Sequence, residues 1–249
     1  MTVDEDLLAR CAANCASAYA SIAEAMDRPV RRWDDLWAGD LRLPSANSPN
    51  SATLLRPMDA TGFEDVLERV RGFFTEPGGG YEIWSIWPTP DLSDRGFELF
   101  MSPAMVLPPG SDPRPAPPEL GIVEADDLAR IGHAEALWIE AFEIHGAEPG
   151  TIVDESAAQA WRIWVGYVDS RPVATSAAHV SDGQVGIYAV ATTPDARGHG
   201  YGEALTWAAI ASRPDLPAAL QASPMGLPVY RRMGFEQVGE FTVWEKPER

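Results

Sequence analysis

Lysine is nearly absent from this chain, with Lys246 standing alone beside eighteen arginines. Acidic residues outnumber basic ones 37 to 19, for a net charge of −18. Nucleic acid or an anionic membrane surface would find little to bind, and a neutral or cationic small molecule is the partner the charge favours. Cysteine is limited to Cys11 and Cys15. Four apart on an apolar helical stretch, they read as buried thiols, and without further ligands nearby no metal site is expected. No segment approaches the ~18 uninterrupted apolar residues of a membrane span. The start, Met1 to Asp6, is acidic where an export signal would be basic and then apolar, so a cytoplasmic chain is expected. What is present is 249 residues, 45% hydrophobic and 22% charged. That is the composition of a globular protein, long enough for two ordinary domains or one large one.

Prolines mark the clearest boundary. Pro103, Pro108, Pro109, Pro113, Pro115, Pro117 and Pro118 crowd one stretch, which reads as an extended linker (103–118) between a first domain (1–102) and a second (119–249). Upstream, Asp6 to Met26 and Gly62 to Phe74 carry apolar residues at helical spacing, and Tyr81 to Pro88 is the best strand. Downstream, Asp126 is placed to cap a helix with Leu128, Ile131, Leu137, Trp138, Ala141 and Phe142 on its buried stripe. Arg162–Val168, Val173–Val180 and Val185–Thr192 read as three antiparallel strands joined by tight turns at 169–172 and 181–183. A helix over about 200–211, a strand at 218–222, a short helix stopped by Gly234 and closing strands near 236–244 complete the order. The two halves also repeat: at an offset of 138, Gly96-Phe97-Glu98 matches Gly234-Phe235-Glu236, Gly62 matches Gly200, and Pro90 matches Pro228.

The segment with the most chemical content runs from Val190 through Pro194 and Arg197-Gly198-His199-Gly200-Tyr201-Gly202, a strand entering a helix through a glycine-rich turn. Glycines let backbone approach a phosphate, and the first free N–H groups of the helix favour negative charge. The spacing fits neither the dinucleotide fingerprint nor a P-loop. Arg197-x-x-Gly200-x-Gly202, followed downstream by Tyr230 on a short helix and then Gly234-Phe235, resembles the two signatures of the GCN5-related N-acetyltransferase (GNAT) superfamily, over about half the chain.

That resemblance implies an α/β (α+β) fold of two tandem GNAT-like domains, each a mixed central sheet flanked by helices, with a degenerate first copy. It implies acetyl-CoA as co-substrate, its pantetheine arm along Val190, Ala191 and Thr192 and its pyrophosphate on the backbone of Arg197, Gly198, His199, Gly200, Tyr201 and Gly202. Tyr230 takes the place of the phenol that protonates the departing thiolate, and Ser223 falls where relatives carry a structural or catalytic polar residue. The implied activity is N-acetylation of a primary amine, most simply of a small molecule, with no metal. A non-catalytic acyl-CoA sensor is the competing class, and an enzyme whose two halves share a larger acceptor is a third.

No single general base stands out, although Glu140, Glu143 and His145 flank the expected cleft. Trp161, Trp164, Trp207 and Trp244 read as core, as does the stretch from Trp84 to Leu92. In the first half, Asp59 and Glu64 stand where Arg197 and Gly202 stand in the second, and Leu92 replaces Tyr230. That half is expected to bind no CoA and to shape the cleft or a homodimer surface.

Overall fold

The computed structural model describes residues 4–43, 50–75 and 79–248; Met1 to Val3 of the acidic start lie outside the described residues. The first half contains α1 (Glu5–Ala25), β1 (Val30–Arg32), β2 (Leu36–Asp40), β3 (Asn50–Leu54), α2 (Ala60–Phe73), β4 (Gly79–Ser85) and β5 (Glu98–Leu107). The second contains β6 (Gly121–Glu124), α3 (Leu128–Ala141), α4 (Ala157–Ala160), β7 (Arg162–Val168), β8 (Arg171–Ser181), β9 (Gln184–Thr192), α5 (Tyr201–Ile210), β10 (Ala218–Gln221), α6 (Leu227–Met233) and β11 (Glu236–Glu248). Shifted by 138, β3 falls within β9, α2 covers α5, β4 covers β10, and β5 falls within β11.

The eleven strands among the described residues form one mixed sheet in the order β1-β2-β3-β4-β11-β5-β10-β9-β8-β7-β6. Among the described residues only β3·β4 and β9·β10 pair in parallel. Each closing strand lies inside the other half: β11 between β4 and β5, and β5 between β11 and β10. Their ladder pairs Ser102 with Phe241 and Pro103 with Glu240. Under the offset of 138 these two pairs exchange with each other, so the repeat in the sequence is a two-fold relation at the centre of the sheet.

This arrangement corrects the proline reading over residues 103–107, which are central strand rather than linker. Pro103 is tolerated because its carbonyl accepts from Ala222 N–H at 2.9 Å while its missing N–H falls where β10 is ending. The connection proper starts after Leu107.

On one face α1, α3 and α4 bury Ala18, Ile22, Leu137, Trp138 and Trp161; on the other, α2 covers Ile83 and Trp244, and α5 with α6 covers Val185, Leu205 and Phe235. The meander turns follow from their residues. Asp169-Ser170 and Asp182-Gly183 all take positive φ, the geometry of two-residue hairpins. The cap of α3 is Asp127, which accepts from Arg130 N–H at 2.8 Å, rather than Asp126. Two residues assigned to its buried stripe are exposed instead, Leu128 at 63% and Phe142 at 41%. Leu128 starts the helix, and Phe142, just past its end, lines the rim of a cavity.

Helix α1 joins the halves. Asn14, buried on it, accepts from Tyr188 Oη at 2.7 Å and donates to Ser181 O at 3.2 Å, and Trp161 Nε1 donates to Ala18 O at 3.0 Å. Gly186 is the sequence counterpart of this contact, because a Cβ there would lie 2.0 Å from Asn14 Oδ1. Cys11 and Cys15 are free thiols buried on the same helix, as their spacing predicts; burial pushes the Cys15 thiol up to about 12.

Candidate active site

The sheet opens between two of its parallel strands. Strands β9 and β10 pair only at Ala218↔Val185 and Ala219↔Gly186, after which they separate. On its other edge β9 carries a bulge, where the step from Thr175↔Ala191 to Ala177↔Tyr188 sets Ala189 and Val190 against the single Ser176. Ala189 takes φ +51°, rare for a residue with a Cβ. Two peptide units thus sit outside both ladders at the mouth of the split. A cavity of about 470 Å³ occupies it, with Ala189, Val190, Ser223 and Tyr230 in its wall.

Beyond the split, β9 ends in a 3-10 turn at Pro194–Ala196 and enters α5 through Arg197 to Gly200. Gly198 and Gly200 take φ +83° and +82°, which side chains resist. Gly200 is the N-cap residue of α5, and no side chain caps that helix, so its first N–H groups are open to an anion. A Cβ on Gly202 would lie 3.2 Å from Thr192 Oγ1 and 3.9 Å from Val190 Cγ1, so the helix start rests closely on the end of the strand.

The side chains of the turn make contacts within the chain. Arg197 Nε donates to Thr192 O at 3.3 Å, the His199 ring stacks on Tyr201 at 5.4 Å, and Tyr201 Oη donates to Glu119 at 2.9 Å. Val190 reaches the cavity wall, Thr192 touches the start of α5, and Ala191 is buried in the α3 core.

Tyr230 sits on α6, whose N-terminus is fixed by Ser223: Gly226 N–H donates to Ser223 Oγ at 3.1 Å. The ring packs edge-on to Phe235 at 5.7 Å and is 8% exposed. Burial alone pushes its phenol up to about 12, so the group stays protonated through the neutral range. Glu140, Glu143 and His145 are exposed, and none is in the cavity wall.

The charged residue that does line the cavity was not singled out from the sequence. Glu82 of β4 is 1% exposed and accepts from Trp84 Nε1 at 2.8 Å. A carboxylate between Tyr81 and Ile83, in a strand buried on both faces, was the available signal, since a charge placed there has to be matched by polar partners. A second buried carboxylate, Glu135 on α3, accepts from the N–H groups of Gly150, Ile152 and Val153 at 2.6, 2.8 and 3.3 Å. It pins the loop that brings Ile144 and Ile152 to the cavity. Trp164, Trp207 and Trp244 are buried core, while Trp161 and Trp84 are both buried and part of the wall.

Among the described residues no helix is long and apolar enough to cross a membrane, and no cluster of His, Cys, Asp and Glu is arranged to hold a metal ion. Helix α2 starts three residues earlier in the shared register than α5 and is capped by Asp59, which accepts from Gly62 N–H at 2.8 Å, while Glu64 is tied to Arg95 at 2.6 and 2.8 Å.

No curated protein sequence matches the chain. Solved structures share its fold over nearly the full length. A GCN5-related N-acetyltransferase from Kribbella flavida superposes with a TM-score of 0.68 at 18% identity, covering 98% of this chain and 96% of its own. A functionally unknown conserved protein from Staphylococcus epidermidis gives 0.62 at 13% identity, covering 90% and 95%. The family model of the acetyltransferase (GNAT) domain matches residues 159–237, which contain the split strand, the open turn and the tyrosine helix. Residues 159–237 thus carry the sequence pattern of the GNAT acetyltransferase domain, on a fold that these solved structures share.

Proposed function

We propose that the protein is an N-acetyltransferase that moves the acetyl group of acetyl-CoA directly to the primary amine of a small molecule. One observation carries this reading: the split between β9 and β10 brings the unladdered bulge and the buried phenol of Tyr230 to one cavity, and the strand that forms its wall leads directly into the uncapped start of α5, which lines a separate hollow with Pro115 and Pro117. The fit to acetyl-CoA rests on an open helix N-terminus reached through two left-handed glycines, a cradle for an anion that side chains leave free. The backbone of Arg197 to Gly202 would hold the pyrophosphate, and Val190 to Thr192 would run beside the pantetheine arm.

Bound acetyl-CoA would supply the acyl carbon as an activated thioester. Tyr230 Oη holds a proton on the cavity wall, where a thiolate would form. A main-chain N–H of the bulge is the donor available to polarise a carbonyl oxygen at the same point. Both halves contribute to the wall, since Tyr19, Glu82, Trp84 and Phe100 come from the first and Trp161, Tyr188 and Tyr230 from the second. We read the first half as a degenerate copy whose own anion cradle is closed by Asp59 and which has become part of the acceptor site.

The test is thiol release from acetyl-CoA in the presence of an amine panel, for the native protein and for Tyr230→Phe. An acetyltransferase releases thiol only with an accepted amine, and the variant slows that release while still binding acetyl-CoA. Tight acetyl-CoA binding with no turnover on any amine would support a sensor instead.

A further inference from the structure

The cavity wall is mostly aromatic, and its rings form a connected set. Tyr19 of α1 is the hub, with ring centres 6.4 Å from Trp84, 6.3 Å from Trp161 and 5.9 Å from Tyr188. Trp161 stacks on Tyr188 at 5.1 Å, Trp138 meets Trp161 at 6.4 Å, and Phe100 meets Trp84 at 6.4 Å. Phe100 at 36% and Phe142 at 41% exposure form the rim. Against these rings stands one carboxyl group. Among the described residues Glu82 is the only Asp, Glu, Lys, Arg or His in the wall, and its carboxylate is held by the indole N–H of Trp84.

Rings present a negative π face and extensive apolar surface, so they attract a cation attached to an apolar body but offer no strong hydrogen-bond acceptor to a chain of hydroxyls or to a second ammonium stripped of its water. A single carboxylate fixes the direction of one ammonium. The volume, about 470 Å³, lies toward the small end of ligand pockets, which span roughly 300–1,000 Å³.

We infer that this cavity selects a primary amine carried on a compact aromatic body, its ring against the Tyr19, Trp84 and Trp161 wall and its ammonium directed at Glu82. The inference rests on the acetyltransferase reading for what happens to the amine, but not for its binding. Polyamines and aminoglycosides, with several charges or hydroxyls to solvate, are rejected by the same wall, because each polar group left unmatched in it costs about 1–3 kcal/mol. Glu82 is a specificity residue contributed by the half of the chain that carries no cofactor turn.

Three tryptophans in the wall make binding measurable without turnover, as quenching of intrinsic fluorescence. The probes are 2-phenylethylamine, its neutral isostere 2-phenylethanol, and spermidine. The amine is expected to bind about tenfold or more tighter than either of the others. Glu82→Gln keeps an oxygen to accept from Trp84 Nε1; it should weaken the amine about tenfold and change 2-phenylethanol by less than about twofold. Spermidine binding as tightly as 2-phenylethylamine would overturn the inference, as would parity of amine and alcohol in the native protein. Equal loss of both aromatic ligands in the variant would overturn it too. If Glu82→Gln fails to fold, the native amine-to-alcohol ratio still decides. Acetyl-CoA binding, titrated separately, keeps the two readings apart: acetyl-CoA bound with aromatic amines ignored removes the inference alone, and the reverse removes the acetyltransferase reading alone.

Discussion

Helices α2 and α5 occupy equivalent places in the two halves, each following a strand that pairs in parallel with the strand after the helix, yet their first turns differ. The start of α2 is closed by its own Asp59, which accepts from Gly62 N–H, and Glu64 beside it is held by Arg95. The start of α5 has a left-handed glycine in the capping position and no side-chain acceptor. At the offset of 138, Asp59 corresponds to Arg197 and Glu64 to Gly202. The first helix thus starts three residues earlier in the shared register and turns its first N–H groups on its own carboxylate, while the second starts at a glycine with no side-chain acceptor. The same contrast holds further on, where Leu92, fully buried, stands opposite the cavity-lining Tyr230.

The sharpest way to test the contrast is at Tyr230, the group the first half lacks. Tyr230→Phe is expected to lower turnover by roughly 10²–10⁴, the effect of removing a positioned acid, with acetyl-CoA affinity within a few-fold. An equal fall in affinity and rate, from steady-state kinetics paired with calorimetry, would make the tyrosine a binding residue. Gly202→Asp, which gives α5 the acid of its counterpart and crowds Thr192 Oγ1, should weaken acetyl-CoA binding by about 100-fold or more. Retained binding in calorimetry would place the cofactor elsewhere.

Asn14→Ala separates the halves at α1. Loss of the Tyr188 and Ser181 hydrogen bonds leaves buried groups unmatched and should lower unfolding stability by about 1–3 kcal/mol in urea titration. Asp59→Ala should cost only about 0.5–2 kcal/mol, the usual value of a cap, and should create no second acetyl-CoA site because α2 still lacks the left-handed glycine turn that precedes α5 and carries Glu64 in its second turn. The smallest effect expected is on the pH profile. Burial raises the Tyr230 phenol to about 12, so its neutral, donating form persists as pH rises and is lost only on passing through that value. Turnover should therefore show no alkaline fall due to this residue between about pH 8 and 10, and a fall present in the native enzyme should survive in the residual activity of Tyr230→Phe.

The sequence was most legible where local chemistry decides structure. Gly198 and Gly200 are where the chain needs positive φ, Gly234 ends α6 in the left-handed region, and Asp182-Gly183 closes a hairpin. The offset of 138 is also visible in residues alone. What could not be read is what the halves do together. Pro103 signals a break to any local rule, yet it lies in the central strand because β5 and β11 change places. Asn14 is an ordinary polar residue until Gly186, 172 positions away, leaves it room. Glu82 stands in the strand and Tyr19 in the helix expected of them, but nothing along the chain says that both meet Trp161 across a cavity. Long-range pairing, rather than propensity, supplies that information.

The central claim is that of two equivalent helix starts only one accepts a cofactor. Calorimetric titration of the native chain with acetyl-CoA tests it most directly. One molecule bound per chain, abolished by Gly202→Asp and unchanged in number by Asp59→Ala, is the predicted result; two molecules per chain, or one that survives Gly202→Asp, would contradict it.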